Sequence, residues 1–139
     1  MLRRRLAALG LAAGLAVAPA LAGPAPASDP VLGLWQTGVE PGAHGGSWAW
    51  IEVQPCKRRI CGTILRTFDA SGETETPVTG KRLIRRMKAL GAGRYGQGRI
   101  WLPTLDRVFD AQMRLDGDKL HVRGCFGPLC KTQVWTRVI

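Results

Sequence analysis

The sequence predicts an all-β protein, a small antiparallel up-and-down barrel of about eight strands. Apolar and polar side chains alternate with a period of two in several short segments, which is typical of strands with one buried face. Clusters of Gly, Asp and Pro separate these segments, and no long segment has a convincing helical period. Short connections favour a meander, and closing a meander into a barrel removes its exposed edges.

The clearest strand signals lie in the second half of the chain. Residues 109–115 and 119–123 both alternate, and the Asp-Gly pair at 116–117 between them is a strong hairpin signal. A third alternating segment covers residues 48–53. Further turns are predicted at residues 42–46, 69–72, 91–98 and 127–128.

Residues 79–91 fit two different structures. Leu83, Met87 and Leu90 lie on one side of the segment if it is a basic amphipathic helix. The same residues also fit a bent strand that carries surface arginines. We favour the strand and keep the helix as the alternative.

Residues 1–22 match the pattern of a cleavable signal peptide. Three arginines at 3–5 precede an apolar run that ends near Val17, and Ala20-Leu-Ala22 is a small-x-small cleavage site. A membrane helix is the alternative, but spanning needs about 20 apolar residues, and prolines interrupt this run. No cysteine lies near the cleavage site, so the chain does not match a lipoprotein. The predicted location is the periplasm or the cell exterior.

The mature chain is predicted to have a flexible leader at residues 23–30 and one domain at residues 31–139. Loss of the three signal arginines lowers the formal net charge from +10 to about +7. Such a basic protein fits nucleic acid, but export removes that partner. Lipid phosphates, lipopolysaccharide and acidic polymers are the anions that an envelope protein meets, and solvated cations that keep the protein soluble are the simpler interpretation.

Four cysteines form two copies of one spacing, with four residues between the members of each pair. Three pairings are possible. We favour Cys56 with Cys61 and Cys125 with Cys130, which requires a turn inside each pair, because bridged Cα atoms lie within about 7 Å of each other. Zinc is the weaker reading because its usual knuckle places two residues between ligands. No metal or cofactor is expected.

The two ends of the domain contain tryptophans. Trp35 lies in the predicted first strand, and Trp135 and Arg137 share one face of the last strand. The first and last strands of a closed meander are neighbours, so Arg137 is predicted to lie over the Trp35 ring and to close the barrel. Two unrelated core tryptophans and a surface arginine are the alternative.

Several short motifs follow one another in a family-specific order. They are Gly33-Leu-Trp35, Cys56, Ile60-Cys-Gly-Thr-Ile64, Tyr95-Gly-Gln-Gly-Arg-Ile100, Pro103, Leu120-His-Val-Arg-Gly124 and Lys131-Thr-Gln-Val-Trp-Thr-Arg-Val138. In this order and spacing the chain resembles the exported bacterial family known as domain of unknown function 2147 (DUF2147). The resemblance implies a small lipocalin/calycin-like barrel in the cell envelope, and it transfers no catalytic residue.

A catalytic constellation is not apparent in the sequence. His44 lies in a glycine-rich loop and His121 on the polar side of a strand, and no nucleophile elbow or phosphate loop is present. Glu73 and Glu75 flank Thr74 in a predicted loop that encloses nothing. We therefore expect a protein that is not an enzyme.

Aromatic residues suggest a ligand site. Trp48, Trp50 and Glu52 share one strand face, and Trp101 and His44 are further candidates for lining the same site. An interior face of this kind suits a small ligand, because aromatic walls with few polar groups are typical of such sites. On an exterior face they contact a partner, or simply pack under a loop.

The leading functional hypothesis is a non-enzymatic, lipocalin-like binding protein for a small amphipathic ligand inside the barrel or at its mouth. A basic module that docks on anionic lipid or lipopolysaccharide through Arg58, Arg59, Arg85 and Arg86 is the alternative. A hydrolytic enzyme is the third hypothesis. The sequence does not identify the ligand or the oligomeric state.

Overall fold

A computed structural model describes residues 10, 12–17 and 28–138. Most of the predicted signal peptide and leader lies outside these residues. The strands are β1 (Gly33–Gln36), β2 (Ser47–Cys56), β3 (Arg59–Asp69), β4 (Gly72–Glu73), β5 (Arg82–Gly91), β6 (Arg94–Leu102), β7 (Arg107–Asp116), β8 (Lys119–Phe126) and β9 (Leu129–Arg137). The single helical element in the described part of the chain is a 3₁₀ turn, Ala43–Gly45.

The strands form one closed antiparallel barrel, as the sequence predicts. Eight of them make the ring, in which β9 pairs with β1 and β2 pairs with β3, and the short β4 is attached to β3 alone. The hairpin at residues 116–119 lies where the Asp-Gly signal places it.

Apolar side chains fill the interior of the barrel. Those that face the axis and are at most 8% exposed are Trp35, Ile51, Val53, Ile60, Ile64, Ile84, Met87, Tyr95, Ile100, Ala111, Met113, Leu120, Val122 and Trp135. A Cβ on Gly98 would come within 2.8 Å of the Met87 sulfur, so this glycine leaves the space that the methionine occupies. An eight-stranded barrel has room inside for its own side chains or for one small ligand, and here large apolar side chains occupy the inward positions. This interior is therefore a packed core, and each large side chain in it stabilises the fold by about 1.5–3 kcal/mol.

Residues 82–91 form a strand with an interrupted alternation. Leu83 and Ile84 are both buried and Arg85 and Arg86 are both exposed, and Arg86 has a φ of 55°. A β-bulge of this kind adds residues to one strand without a partner on the next. Because of the bulge, the buried residues Leu83, Ile84 and Met87 are spaced as on one face of a helix. This spacing explains why the sequence of this segment fits both a helix and a strand.

The barrel has two different ends. The turns at residues 57–58, 92–93 and 117–118 lie at the end that we call the closed end, and those at 70–71, 103–106 and 127–128 lie at the opposite, open end.

Residues 29–32, the N-terminal strap, cross the closed end. The Asp29 carboxylate accepts hydrogen bonds from the Tyr95 hydroxyl at 2.5 Å and from the Val31 amide at 2.9 Å, and Val31 is fully buried. The domain therefore begins earlier than predicted, because Asp29 and Pro30, assigned to the flexible leader, contact the barrel.

Candidate functional site

The three barrel-closure candidates, Trp35, Trp135 and Arg137, come together at the closed end. Trp35 pairs with Arg137 across β1 and β9, and the guanidinium carbon lies 4.2 Å from the centre of the fully buried Trp35 ring. The guanidinium also donates to the carbonyl oxygens of Leu32 at 3.2 Å and Pro30 at 2.6 Å. Trp135 packs beside them in the core. This set closes the barrel around the strap.

The cysteines form one disulfide at each end. Cys56 and Cys61, with Cα atoms 5.7 Å apart, clip the β2–β3 hairpin at the closed end. Cys125 and Cys130, 4.1 Å apart, clip the β8–β9 hairpin at the open end. These are the pairs that the sequence favours, and each holds a local turn. Disulfides of this kind indicate an oxidising, exported environment.

The structure places Trp48, Trp50 and Glu52 on the outer wall. Ile51 and Val53 alternate with them and face the core, so an interior site lined by the tryptophans does not form. The side chains of β2 alternate as predicted. The sequence does not show which of the two faces of β2 points into the closed barrel.

These outer aromatic residues pack on one another. Trp48 stacks on Phe68 with ring centres 5.9 Å apart, and Trp50 lies 5.1 Å from the same ring. Arg66 covers Trp50 at 5.6 Å, and the Trp50 indole N–H donates to Gln36 at 3.1 Å. The three rings are half-buried and pack on one another, which fits local packing of the wall.

His44 lies at the rim of the open end. It is exposed in the 3₁₀ turn, and its backbone oxygen accepts from the Ala70 amide at 3.3 Å. Nearby, the hydroxyl and amide of Ser71 donate to Asp69 and lower the pKa of that carboxyl, with a smaller contribution from His44. His44 forms no ion pair among the described residues, and His121 is far away on the outer wall of β8.

Trp101 faces outward near the open end. Its indole N–H donates to Asp106 at 3.0 Å, and the Lys81 ammonium lies 5.6 Å from its ring. It therefore does not line the interior, because its neighbour Ile100 takes the inward position.

Sequence reasoning missed the apolar residues at the open end. Leu105, Phe126 and Leu129 are 65%, 60% and 75% exposed on neighbouring turns. Phe109 contacts Phe126 edge-on with ring centres 6.2 Å apart, and the Arg107 guanidinium lies 5.5 Å from the Phe126 ring. We call these five residues the open-end patch. Its signal was available, because Phe126 and Leu129 flank a turn, where polar residues are usual.

The loop at residues 37–46 lies over another part of the open end, against β9. Gln133 donates to Glu40 at 2.6 Å, and Lys131 lies 3.6 Å from the same carboxylate. A Cβ on Gly38 would come within 2.9 Å of Gln133, so the loop lies directly on β9. The large apolar side chains of the open-end patch, in contrast, remain exposed.

The four predicted anion-contact residues lie on adjacent strands. Ile60 pairs with Met87, which brings Arg58 in the β2–β3 turn and Arg59 at the start of β3 next to β5 with Arg85 and Arg86. Arg58, Arg85 and Arg86 are exposed. One guanidinium nitrogen of Arg59, Nη1, is buried without a hydrogen-bond partner among the described residues.

Neither a metal centre nor a membrane helix appears in the described part of the chain. No group of three or more His, Cys, Asp or Glu side chains is arranged to hold a metal ion within residues 28–138. Among the described residues, no helix is long and apolar enough to cross a membrane.

Comparisons with known proteins agree with this fold. A family model described as "Uncharacterized protein conserved in bacteria (DUF2147)" matches residues 33–137. Protein HP1028 from the human pathogen Helicobacter pylori, described as belonging to the lipocalin family, has a similar structure, with a TM-score of 0.61 and 14% identity. The match covers 78% of this chain and 82% of that chain, and at this identity it establishes the fold alone. No curated protein matches the chain.

Proposed function

The chain belongs to the bacterial family DUF2147, and we propose that it is a lipocalin-like binding protein of the cell envelope that holds a small amphipathic ligand at the open end of its barrel. The role is a non-enzymatic one. His44 and His121 lie far apart, on an exposed loop and on the outer wall, and neither forms an ion pair among the described residues.

The open-end patch is the observation that carries this proposal. Phe126 and Leu129 pair across the β8–β9 hairpin and leave more than half of each side chain in water. Exposed apolar area of this kind is favourable to cover, at about 25 cal/mol for each Å². A hydrocarbon tail that lies across these side chains gains that free energy. The packed core leaves the mouth, and not the interior, as the place for such a tail.

Arg107 supports an anionic headgroup for the ligand. Its guanidinium lies over the Phe126 ring and forms no ion pair among the described residues. An arginine that lies on an aromatic ring keeps its donors free for a carboxylate or a phosphate. The apolar contact for a tail, Phe126, and the charged group for an anionic headgroup, Arg107, are therefore only 5.5 Å apart.

The envelope location rests on two observations. The disulfides favour an oxidising compartment, and residues 1–22 match a signal peptide. N-terminal sequencing of the protein recovered from the periplasm tests it. An N-terminus at residue 23, or at residue 28 after a second possible cut at Ala27, agrees, and an intact residue 1 contradicts it.

Calorimetric titration with dodecanoate tests the ligand site. We expect saturable binding that the double substitution F126S/L129S weakens by about tenfold or more, because two apolar contacts are lost. Leu65→Ser is the matched control, since Leu65 is an exposed apolar residue on another wall of the barrel. Arg107→Gln is expected to weaken dodecanoate but not the uncharged dodecyl maltoside. Equal loss with Leu65→Ser, or no binding of either amphiphile, contradicts the proposal.

A second candidate function is docking on an anionic surface through Arg58, Arg59, Arg85 and Arg86. The buried and unpartnered Nη1 atom of Arg59 favours it, because a buried charged donor without an acceptor is costly. Sedimentation with phosphatidylglycerol vesicles tests this function. Binding that falls with added salt and is lost when all four arginines become glutamine supports it. Binding that survives either change contradicts it.

A further inference from the structure

A shallow groove crosses the outer wall of β6, β7 and β8 near the closed end. It has a volume of about 440 Å³, and its lining includes Arg94, Arg114, His121 and Arg123 but no carboxylate. Gly96 leaves the groove open, since it has no side chain between its neighbours Lys88 and Gln112 on the outer face. A Cβ there would lie within 3.0 Å of Leu90.

Strand register brings the basic side chains of this groove together. Arg94 is directly opposite Arg114 across β6 and β7, and Arg114 is directly opposite His121 across β7 and β8. Arg123 lies opposite Gln112, one step further along the same two strands. Like charges in directly opposed positions destabilise a sheet. The stability of the sheet therefore does not explain why Arg94 lies opposite Arg114.

The cations of the groove also differ from other arginines of the barrel wall. Arg99 lies further along β6 and has Asp110 at 2.8 Å, and Arg66 has Glu73 at 3.6 Å. In the described part of the chain, Arg94, Arg114 and Arg123 take part in no ion pair. Their charge is left for a ligand.

We infer that this groove is a second binding site, which takes a phosphate group carried on a small hydroxylated molecule or on a lipid headgroup. Planar guanidinium groups bind phosphate oxygens through paired hydrogen bonds, and several of them around one concave surface match its charge. Gln112 and Thr132 in the lining supply neutral donors and acceptors for neighbouring hydroxyl groups. The site is separate from the open-end patch, because His121 lies five residues from Phe126 along β8, or about 17 Å.

Nuclear magnetic resonance titration of the folded protein with glycerol 3-phosphate in chloride buffer tests this inference. We expect saturable shifts of the amides of residues 112–114 and 121–123 and little change at residues 126–129. Arg114→Gln is expected to weaken binding by about tenfold, the usual effect of removing one charge-assisted contact. Arg82→Gln is the matched control, because Arg82 is an exposed cation on β5 outside the groove.

Gly96→Ala provides a test that leaves the charge unchanged. Its methyl group narrows the groove, so binding is expected to fall by about threefold or more while the circular dichroism spectrum stays that of the parent. Equal weakening by Arg114→Gln and Arg82→Gln overturns the inference, because it shows a diffuse effect of net charge. The inference is also overturned if the parent protein shows saturable binding neither of glycerol 3-phosphate nor of vesicles that contain phosphatidic acid.

The choice of probe distinguishes a soluble phosphate ester from a lipid headgroup. Binding of glycerol 3-phosphate that depends on Arg114 identifies a soluble phosphate ester, and dependence on Arg114 with phosphatidic acid vesicles alone identifies a headgroup. Both support a phosphate site. Dodecanoate binding is expected to be unchanged by Arg114→Gln, so failure of the groove and failure of the open-end patch give different results.

Discussion

The closed end and the open end of the barrel are built from similar hairpins, but apolar side chains are buried at the closed end and exposed at the open end. At the closed end Trp35 lies under Arg137 and the strap buries Val31 completely. At the open end Phe126 and Leu129 remain mostly exposed on a hairpin that a disulfide clips. Large apolar side chains are buried at the closed end, whereas side chains of the same kind are exposed to solvent at the open end.

This difference leads us to expect stability to depend on the closed end and, under the proposed function, ligand binding to depend on the open end. Buried side chains at the closed end contribute to the free energy of unfolding, whereas exposed ones at the open end contribute little to it. Substitutions at the open end are therefore expected to change ligand binding with little effect on the fold. Substitutions at the closed end are expected to do the reverse.

Trp35→Ala is expected to have the largest effect on stability. Removal of this fully buried ring leaves a cavity and costs about 3–5 kcal/mol of unfolding free energy. Phe126→Ala at the open end is expected to cost about 0.5 kcal/mol or less. Urea unfolding followed by circular dichroism measures both. Similar losses for the two variants would remove the distinction between the ends.

Arg137→Met is expected to have the next largest effect. The variant keeps an apolar stem over Trp35 but loses the charged hydrogen bonds to the strap carbonyls, a loss of about 2–3 kcal/mol. Arg107→Met makes the matched change at the open end, where the arginine covers an exposed ring. We expect the same unfolding assay to show a change of about 0.5 kcal/mol or less for it. Equal effects would mean that Arg137 is only a surface cation.

The disulfides sharpen the comparison because their loops have the same length. Each joins residues five positions apart, so the chain-entropy contribution of each is about 2 kcal/mol. C56A/C61A is expected to cost more than C125A/C130A, because Cys61 is also buried. Only the second variant is expected to weaken dodecanoate binding, since that bridge holds Phe126 and Leu129. A larger loss of stability from the open-end variant contradicts this ranking.

Substitution of Tyr95 is expected to have the smallest of these effects on the free energy of unfolding, and this effect depends on pH. Burial, and then its hydrogen bond to Asp29, raise the pKa of this phenol above its ordinary value of about 10. The folded state therefore holds a proton that the unfolded state loses, and the contribution of Tyr95 is complete below about pH 10 and declines as pH rises further.

Tyr95→Phe tests this dependence. The variant is expected to lose about 1 kcal/mol at neutral pH, and its stability above about pH 10 is expected to fall less steeply than that of the parent. Tyr95 is the single tyrosine of the chain, so its ionisation is also visible in the ultraviolet spectrum. Parallel stability curves for the two proteins would show that the phenol titrates freely.

The contact at the closed end could be predicted from the sequence because barrel closure alone places the first and last strands together. Trp35 and Arg137 meet as the end motifs predict. The disulfides follow from spacing in the same way, since a turn is needed within each pair.

The candidate ligand residues could not be placed from the sequence alone. Alternation shows that Trp48 and Trp50 share a face, but the closed sheet decides whether that face is inside. The groove depends on which residues are opposite each other, and Arg94 and Arg114 are 20 positions apart in the chain. Bulges in β5 and β6 shift this register in ways that the two-residue period does not contain.

Mapping of dodecanoate contacts by nuclear magnetic resonance tests the division between the two ends most directly. Amide shifts are expected at residues 102–109 and 125–131, with the side-chain N–H signals of Trp35 and Trp135 unchanged. Shifts centred on Trp35, Met113 or Leu120, at the closed end and in the core, would contradict it, because they would mean that the ligand enters the barrel.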